Sequence, residues 1–120
     1  KMQNEGRKIL HLPELKVSCT CVRLPVIRSH TISMNVFFDR PVSVEDVPWA
    51  IQAAPGVKLA DEPKNHLYPM PILSSDQDLV YVGRIRPDLT DERGLALISC
   101  GDQVRKGAAT NAVQIAELLI

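Results

Sequence analysis

Hydrophobic and polar residues alternate along two stretches in the first third of the chain, which is the pattern of β-strands with one buried face. The stretches are 17–26 (VSCTCVRLPV) and 30–39 (HTISMNVFFD). Pro25 should close the first strand or place it at a sheet edge, because proline lacks the N–H that strand pairing needs. Since only a short connection separates the two strands, we expect them to form an antiparallel pair.

Three short apolar runs further along the chain predict three more strands, at 57–60, 79–86 and 94–100. The segment 61–75 is rich in Pro, Asn and Ser, a composition typical of an irregular loop. The polar residues 87–93 predict a turn between the last two strands. These strands, with the helices described next, predict an α+β domain whose sheet is mostly antiparallel.

Three segments favour helix. The first is the polar segment 1–10. The second follows Ser43, whose side chain is of the type that caps helix N-termini; Pro48 lies just inside this helix and should distort it or delay its start. The third, 107–120 (GAATNAVQIAELLI), is apolar over most of its circumference. Because such a helix is usually buried, we expect a surface outside this chain to cover it.

Charge and composition narrow the functional classes. Over 120 residues, 14 basic residues balance 14 acidic ones, and the formal net charge is zero. A nucleic-acid-binding protein usually carries a basic surplus, so we expect no nucleic-acid partner. The hydrophobic fraction of 45% argues against a disordered tail. No apolar run approaches the roughly 20 residues of a membrane span, and we expect no membrane association.

The cysteines Cys19, Cys21 and Cys100 are odd in number, which argues against a disulfide framework. In an extended strand, Cys19 and Cys21 would lie about 6.6 Å apart along the chain, which is poor disulfide geometry. No His or Cys pair accompanies them at zinc-binding spacing, so we expect no metal site. Reduced thiols indicate a cytoplasmic protein.

Arg23 and His30 are the candidates for chemistry in the first two predicted strands. A guanidinium in the mostly apolar first strand needs a partner; Arg23 either forms a structural ion pair or binds a substrate carboxylate with two parallel hydrogen bonds. His30 is either structural or a general acid/base, because imidazole titrates near neutral pH. Arg28 lies between turn residues, and we expect it to be in solvent.

Five motifs follow one another along the chain. R-x-P-V-x-x-x-H runs from Arg23 to His30, and K-G-A-A-T-N-A-V-Q-I-A-E occupies 106–117; between them lie A-P-G-V at 54–57, Y-P at 68–69 and V-G-R-I-R at 82–86. Together they resemble the C-terminal half of aspartate-semialdehyde dehydrogenases. The resemblance implies an α+β substrate-binding and dimerisation domain with a mixed, largely antiparallel sheet and helices on one face, like the C-terminal domain of glyceraldehyde-3-phosphate dehydrogenase.

The resemblance also implies an activity: NADP-dependent reductive dephosphorylation of L-4-aspartyl phosphate to L-aspartate 4-semialdehyde. This step belongs to lysine, threonine, methionine and diaminopimelate biosynthesis. In such chemistry a cysteine thiolate attacks the acyl phosphate, phosphate leaves, and the thioester accepts a hydride from NADPH. The implied assembly is a homodimer or a dimer of dimers.

Matched motif by motif, the resemblance assigns roles to five residues. His30 resembles the family's general acid/base, and Arg23 resembles the arginine that grips the substrate α-carboxylate. Lys1 aligns with a lysine near the phosphate site. Asn111 and Gln114 lie in the motif near the nicotinamide end of the cofactor. For Asn111, capping of the helix N-terminus is the alternative explanation.

Two parts of the family's machinery do not occur in this chain: the nucleophilic cysteine and the glycine-rich dinucleotide loop. The sequence also begins at Lys1 without an initiator methionine. We therefore expect residues 1–106 to form the substrate-binding and dimerisation domain, and 107–120 to form a helix that packs on an absent NADP-binding domain. We expect the 120-residue chain alone to be inactive. Two alternatives remain open, a non-catalytic dimerisation module of the same fold and the related N-acetyl-glutamyl-phosphate reductase.

Overall fold

A computed structural model describes residues 2–120, with side chains from residue 4 onward, so Lys1 lies outside the described residues. The described residues form four strands, four α-helices, a 3₁₀ turn and a π-helical turn. In chain order they are α1 (Met2–Ile9), β1 (His30–Phe37), α2 (Val47–Ala53), β2 (Val57–Leu59), the 3₁₀ turn (Pro63–Asn65), α3 (Pro71–Ser74), β3 (Val80–Pro87), β4 (Gly94–Gly101), the π-helical turn (Arg105–Ala109) and α4 (Thr110–Glu117).

The strands form one sheet in the order β1-β4-β3-β2. β4 pairs antiparallel with both β1 and β3, whereas β2 pairs parallel with β3. The predicted α+β class with a mixed, largely antiparallel sheet is therefore confirmed. In the β1–β4 register His30 lies opposite Gly101, and Phe37 lies opposite Gly94. Because the two strands are antiparallel, the residues just before β1 lie beside the residues just after β4.

The core lies along the two central strands. Its buried apolar side chains are Ala60, Tyr81, Val82, Leu95, Ala96 and Cys100. At Gly83 in β3, any Cβ would overlap the carbonyl oxygen of Ala60, the residue after β2. Only glycine fits at that position, because the Ala60 carbonyl is part of the backbone.

The prediction of a strand at 17–26 is wrong. That segment has no regular secondary structure, and residues 18–27 are all exposed. The alternation of polar and apolar residues indicates that this segment can adopt an extended conformation. Its side chains, however, do not form a buried face against the other described residues. The strand that pairs with β1 is β4, so the expected antiparallel pair of neighbouring strands is wrong as well.

The helix predictions hold with shifted boundaries. α2 begins at Val47, which places Pro48 in its first turn and matches the expected later start. Ser43 is not its cap, because the N-cap position is Asp46, and the Ser43 hydroxyl donates to Glu45 Oε2 at 2.9 Å. The last helix is preceded by the π-helical turn at Arg105–Ala109. The segment expected to be an irregular loop holds the 3₁₀ turn and α3.

Candidate active site

A cleft of about 200 Å³ opens where β1 begins and β4 ends. His30, the first residue of β1, lines it together with Gln103 and Lys106 from the segment that follows β4. The His30 side chain is exposed at this point. The antiparallel register explains the juxtaposition, since it places residue 30 opposite residue 101. An exposed imidazole at a cleft is positioned to exchange protons with a bound molecule.

The backbone immediately before His30 is held in an unusual conformation. Ser29 is buried and has a φ of 76°, in the left-handed region that non-glycine residues rarely adopt. Its N–H donates to Gln103 Oε1 at 2.6 Å, and its hydroxyl lies 3.1 Å from the Ser75 hydroxyl. These bonds tie the turn that leads into His30 to the segment after β4 and to α3.

Asp102 is the fully buried charge of this region, at 0% exposure. Its carboxylate accepts backbone N–H groups from Asp76 at 2.7 Å, Val104 at 2.8 Å and Arg105 at 3.2 Å. Burial acts to raise the pKa of Asp102, but these three hydrogen bonds and the nearby Arg28 charge outweigh burial and lower it to about 2. Asp102 is therefore ionised at neutral pH.

Arg28 joins this carboxylate to a second one. Its Nη1 lies 2.8 Å from Asp76 Oδ1, and its buried Nε lies 2.8 Å from Asp102 Oδ2, outside hydrogen-bond geometry. The expectation that Arg28 is in solvent is wrong, because its side chain is only 34% exposed and lies between two carboxylates.

The cofactor candidates lie on the helical segment that follows the cleft. Lys106 donates through Nζ to Gln114 Oε1 at 2.6 Å, so Gln114 is linked to a residue of the cleft. Asn111 is half-buried in the first turn of α4. The capping explanation for Asn111 is wrong, because the N-cap position of α4 is Ala109. Asp78 anchors the same segment by accepting hydrogen bonds from Arg105 and Thr110, each at 2.9 Å.

Arg23 lies apart from these residues. It is exposed in the irregular segment before β1 and does not line the cleft. Among the described residues no carboxylate pairs with it, so the structural ion pair considered for Arg23 is not formed here. Its guanidinium is open to a ligand or to another part of the protein.

The sequence reasoning missed Arg28 and Asp102. One signal was available for Asp102, since it is an acidic residue that directly follows an apolar strand, where polar side chains often gather at a sheet end. Arg28 offered no such signal, because its partner lies 74 residues away in sequence.

Within residues 2–120 no cluster of three or more His, Cys, Asp or Glu side chains is arranged to hold a metal ion. In the same part of the chain, no helix combines the length and the apolar character that crossing a membrane requires.

Residues 1–106 match the family model described as semialdehyde dehydrogenase, dimerisation domain. The whole chain is 50% identical to the aspartate-semialdehyde dehydrogenase of Synechocystis sp. and 49% identical to that of Aquifex aeolicus, but it covers 36% and 35% of those proteins. A crystal structure of Vibrio cholerae aspartate semialdehyde dehydrogenase II complexed with ASA has 39% identity and a TM-score of 0.86, over 98% of this chain and 34% of that one.

A more distant structure, the aspartate semialdehyde dehydrogenase of Francisella tularensis, has 25% identity and a TM-score of 0.75 over 98% of this chain. The chain thus spans about a third of the length of the relatives it matches. Since the family model covers more than half of the chain, and relatives and solved structures match nearly all of it, the chain belongs to the semialdehyde dehydrogenase dimerisation-domain family.

Proposed function

We propose that this chain is the substrate-binding and dimerisation part of an NADP-dependent aspartate-semialdehyde dehydrogenase. The proposed reaction is the reductive dephosphorylation of L-4-aspartyl phosphate to L-aspartate 4-semialdehyde and phosphate, in lysine, threonine, methionine and diaminopimelate biosynthesis. The observation that carries the proposal is the position of His30, whose side chain is exposed at a cleft. The turn before it is held by hydrogen bonds from Ser29 to Gln103 and between the Ser29 and Ser75 hydroxyls.

His30 is the general acid/base in this proposal. It takes the proton from a cysteine thiol supplied by the rest of the enzyme, so that the thiolate attacks the acyl carbon and phosphate leaves. Hydride reduction of the thioester gives a thiohemiacetal, whose developing oxyanion takes the proton from the imidazolium. When the imidazole removes that proton again, the C–S bond breaks, which releases the aldehyde and restores the thiolate. A positioned acid/base of this kind contributes roughly 10²–10⁴-fold in rate.

Two basic residues bind the substrate in the proposal. The unpaired, exposed guanidinium of Arg23 suits a bidentate grip on the α-carboxylate. Lys1 is proposed to bind the phosphate group; it lies outside the described residues.

NADPH supplies the hydride when it is bound. The residues proposed to contact it are Asn111, whose half-buried amide makes none of the described hydrogen bonds, and Gln114, whose Oε1 is fixed by Lys106 while its amide NH₂ remains able to donate. Amide groups of this kind suit a carboxamide such as that of nicotinamide, because both partners donate and accept hydrogen bonds.

Exposed apolar side chains in α4 and in the residues after it support a covering domain. Val113 and Ile115 are more than half exposed, and Leu118, Leu119 and Ile120 are almost completely exposed. Large contiguous apolar surface usually marks an interaction site. We infer that residues 107–120 pack on an NADP-binding domain, that residues 1–106 form the substrate-binding and dimerisation domain of a homodimer or dimer of dimers, and that the enzyme acts in the cytoplasm.

The test uses the full-length protein that contains this chain, assayed by phosphate-dependent reduction of NADP with aspartate semialdehyde. His30→Ala should lower kcat by about 10²–10⁴-fold with little change in KM, whereas Arg23→Ala should chiefly raise KM for the semialdehyde. His66→Asn is the matched control, because His66 is an exposed histidine with a φ of 55° that asparagine tolerates. Equal effects of the His30 and Arg23 variants would contradict the assigned roles.

The same assay on the 120-residue chain alone should give no activity, because the proposed nucleophile is not part of it. Turnover by the pure chain would refute the proposed mechanism.

A further inference from the structure

Two distant segments of the chain converge on the buried Asp102 carboxylate, and the function proposed above uses none of these contacts. Asp76, after α3, donates its N–H to Oδ2 at 2.7 Å, and Val104, after β4, donates its N–H to Oδ1 at 2.8 Å. Arg28, before β1, places Nε 2.8 Å from the same Oδ2. The carboxylate therefore joins the approach to His30 to the segment that carries Gln103 and Lys106.

The approach to His30 needs such an anchor. Ser29 separates Arg28 from His30 and holds a φ of 76°. A left-handed serine persists only where the surroundings hold it, because its Cβ makes the conformation unfavourable. The Gln103 side chain accepts a hydrogen bond from the Ser29 N–H, and the Arg28 side chain forms an ion pair with Asp102. Both residues of the Arg28–Ser29 peptide unit are therefore fixed.

Neither member of the ion pair is placed to act on a substrate directly. The Arg28 guanidinium contacts Asp76 through Nη1 and Asp102 through Nε, which leaves it poorly placed to bind a substrate anion. Asp102 is fully buried and accepts three backbone N–H groups, so it offers no exposed oxygen for proton exchange. An effect of either residue on the reaction must pass through the residues that they hold in place.

We propose that Arg28 is a positioning residue, whose ion pair with Asp102 fixes the Ser29 turn and thereby places the His30 imidazole at the cleft. The inference rests on the proposed function, because it assumes that His30 is the acid/base. Loss of the pair lets the turn relax toward the common backbone region and moves His30 relative to Gln103 and Lys106. Displacement of a catalytic group by about 1 Å costs on the order of 10²-fold in rate.

The test is a double-mutant cycle in the full-length enzyme, with kcat and KM measured for each variant. Arg28→Ala should lower kcat about 10- to 100-fold with KM for the semialdehyde changed less than about twofold. In the His30→Ala protein, Arg28→Ala should lower kcat less than about twofold, because its effect acts through the His30 side chain, which is already absent. Arg93→Ala is the matched control: Arg93 pairs with Asp91 at 2.7 Å next to the opposite end of β1, and its loss should leave kcat unchanged.

A second variant covers the case in which Arg28→Ala does not fold. Asp76→Asn removes one exposed carboxylate from Arg28, leaves the buried pair with Asp102 in place, and suits the φ of 61° at this position. It should lower kcat about two- to fivefold, and only when His30 is present. Circular dichroism establishes which variants are folded before their rates are compared.

The outcomes separate the two ideas. If His30→Ala leaves kcat unchanged, the proposed function is wrong, and the positioning role falls with it. If His30→Ala lowers kcat but the folded Arg28 or Asp76 variant costs the same with and without His30, the proposed function stands and the positioning role is overturned. A rise in KM without a fall in kcat would instead make Arg28 a substrate-binding residue and also overturn the inference.

Discussion

The close approach of β2 to β3 gives a strong test of the packing. An alanine Cβ at Gly83 would overlap the carbonyl oxygen of Ala60, and it would lie 2.8 Å from the carbonyl carbon and 2.9 Å from Pro69 Cδ. The carbonyl is part of a backbone that is 2% exposed at Ala60, so it cannot rotate away as a flexible side chain would. Gly83→Ala must therefore push the two strands apart.

The cost of that displacement follows from the contacts it disturbs. Insertion of a methyl group into a packed interior costs about 1–3 kcal/mol. The Ala60 N–H donates to the Val82 carbonyl at 2.8 Å, directly beside the overlap, and weakening this bond adds about 1 kcal/mol. We expect Gly83→Ala to lower the free energy of unfolding by about 2–4 kcal/mol, which corresponds to a fall in Tm on the order of 10 °C for a domain of this size.

Thermal unfolding followed by circular dichroism measures the effect. Gly6→Ala is the control, since nothing lies within 4 Å of a Cβ at Gly6, in the interior of α1. Removing a glycine from a helix interior stabilises it by up to about 1 kcal/mol, so the two Gly-to-Ala variants should shift Tm in opposite directions. A Gly83→Ala protein that melts within about 1 °C of the parent would refute the close approach of Gly83 to Ala60.

Two further predictions follow from buried ionisable groups. The pKa of Asp102 is about 2 against an ordinary 3.8, so its stabilising effect is complete above pH 4 and is lost as the pH falls toward 2. Urea midpoints should therefore fall over that range, more steeply in the parent than in Asp102→Asn, and parallel slopes would contradict this. Burial raises the pKa of Cys100 despite a hydrogen bond between its thiol and the Thr31 hydroxyl. Iodoacetamide at pH 8 should therefore alkylate exposed Cys19 well before Cys100, as peptide mass spectrometry would detect; equal rates would contradict this prediction.

The sequence pattern predicts β3 and β4 to within one residue at each end, because their side chains fill the core. It also predicts β1, whose side chains are mostly exposed and whose strand conformation comes from pairing with β4. The segment 17–26 has a similar β-branched composition but buries no face, and it is not a strand. Period-two alternation reports that a segment can extend; whether a partner strand exists beside it depends on tertiary contacts that composition does not contain.

The pairing of β1 with β4 also explains why the sequence pattern singles out Arg23 and not Arg28. Arg23 and Arg28 lie five residues apart, and the local pattern favoured Arg23 because it interrupts an apolar run, whereas Arg28 lies among turn residues. In the folded protein the environments of the two arginines are the opposite of those that the local pattern predicts, because Arg23 is exposed and Arg28 is partly buried. The strand pairing places His30 opposite Gly101, so the residues before His30 meet the residues after Gly101, and Arg28 reaches the buried Asp102. The partial burial of this arginine is therefore a consequence of the pairing of β1 with β4. The positioning role proposed for Arg28 therefore depends on the β1–β4 register as well as on the residues of the turn before His30.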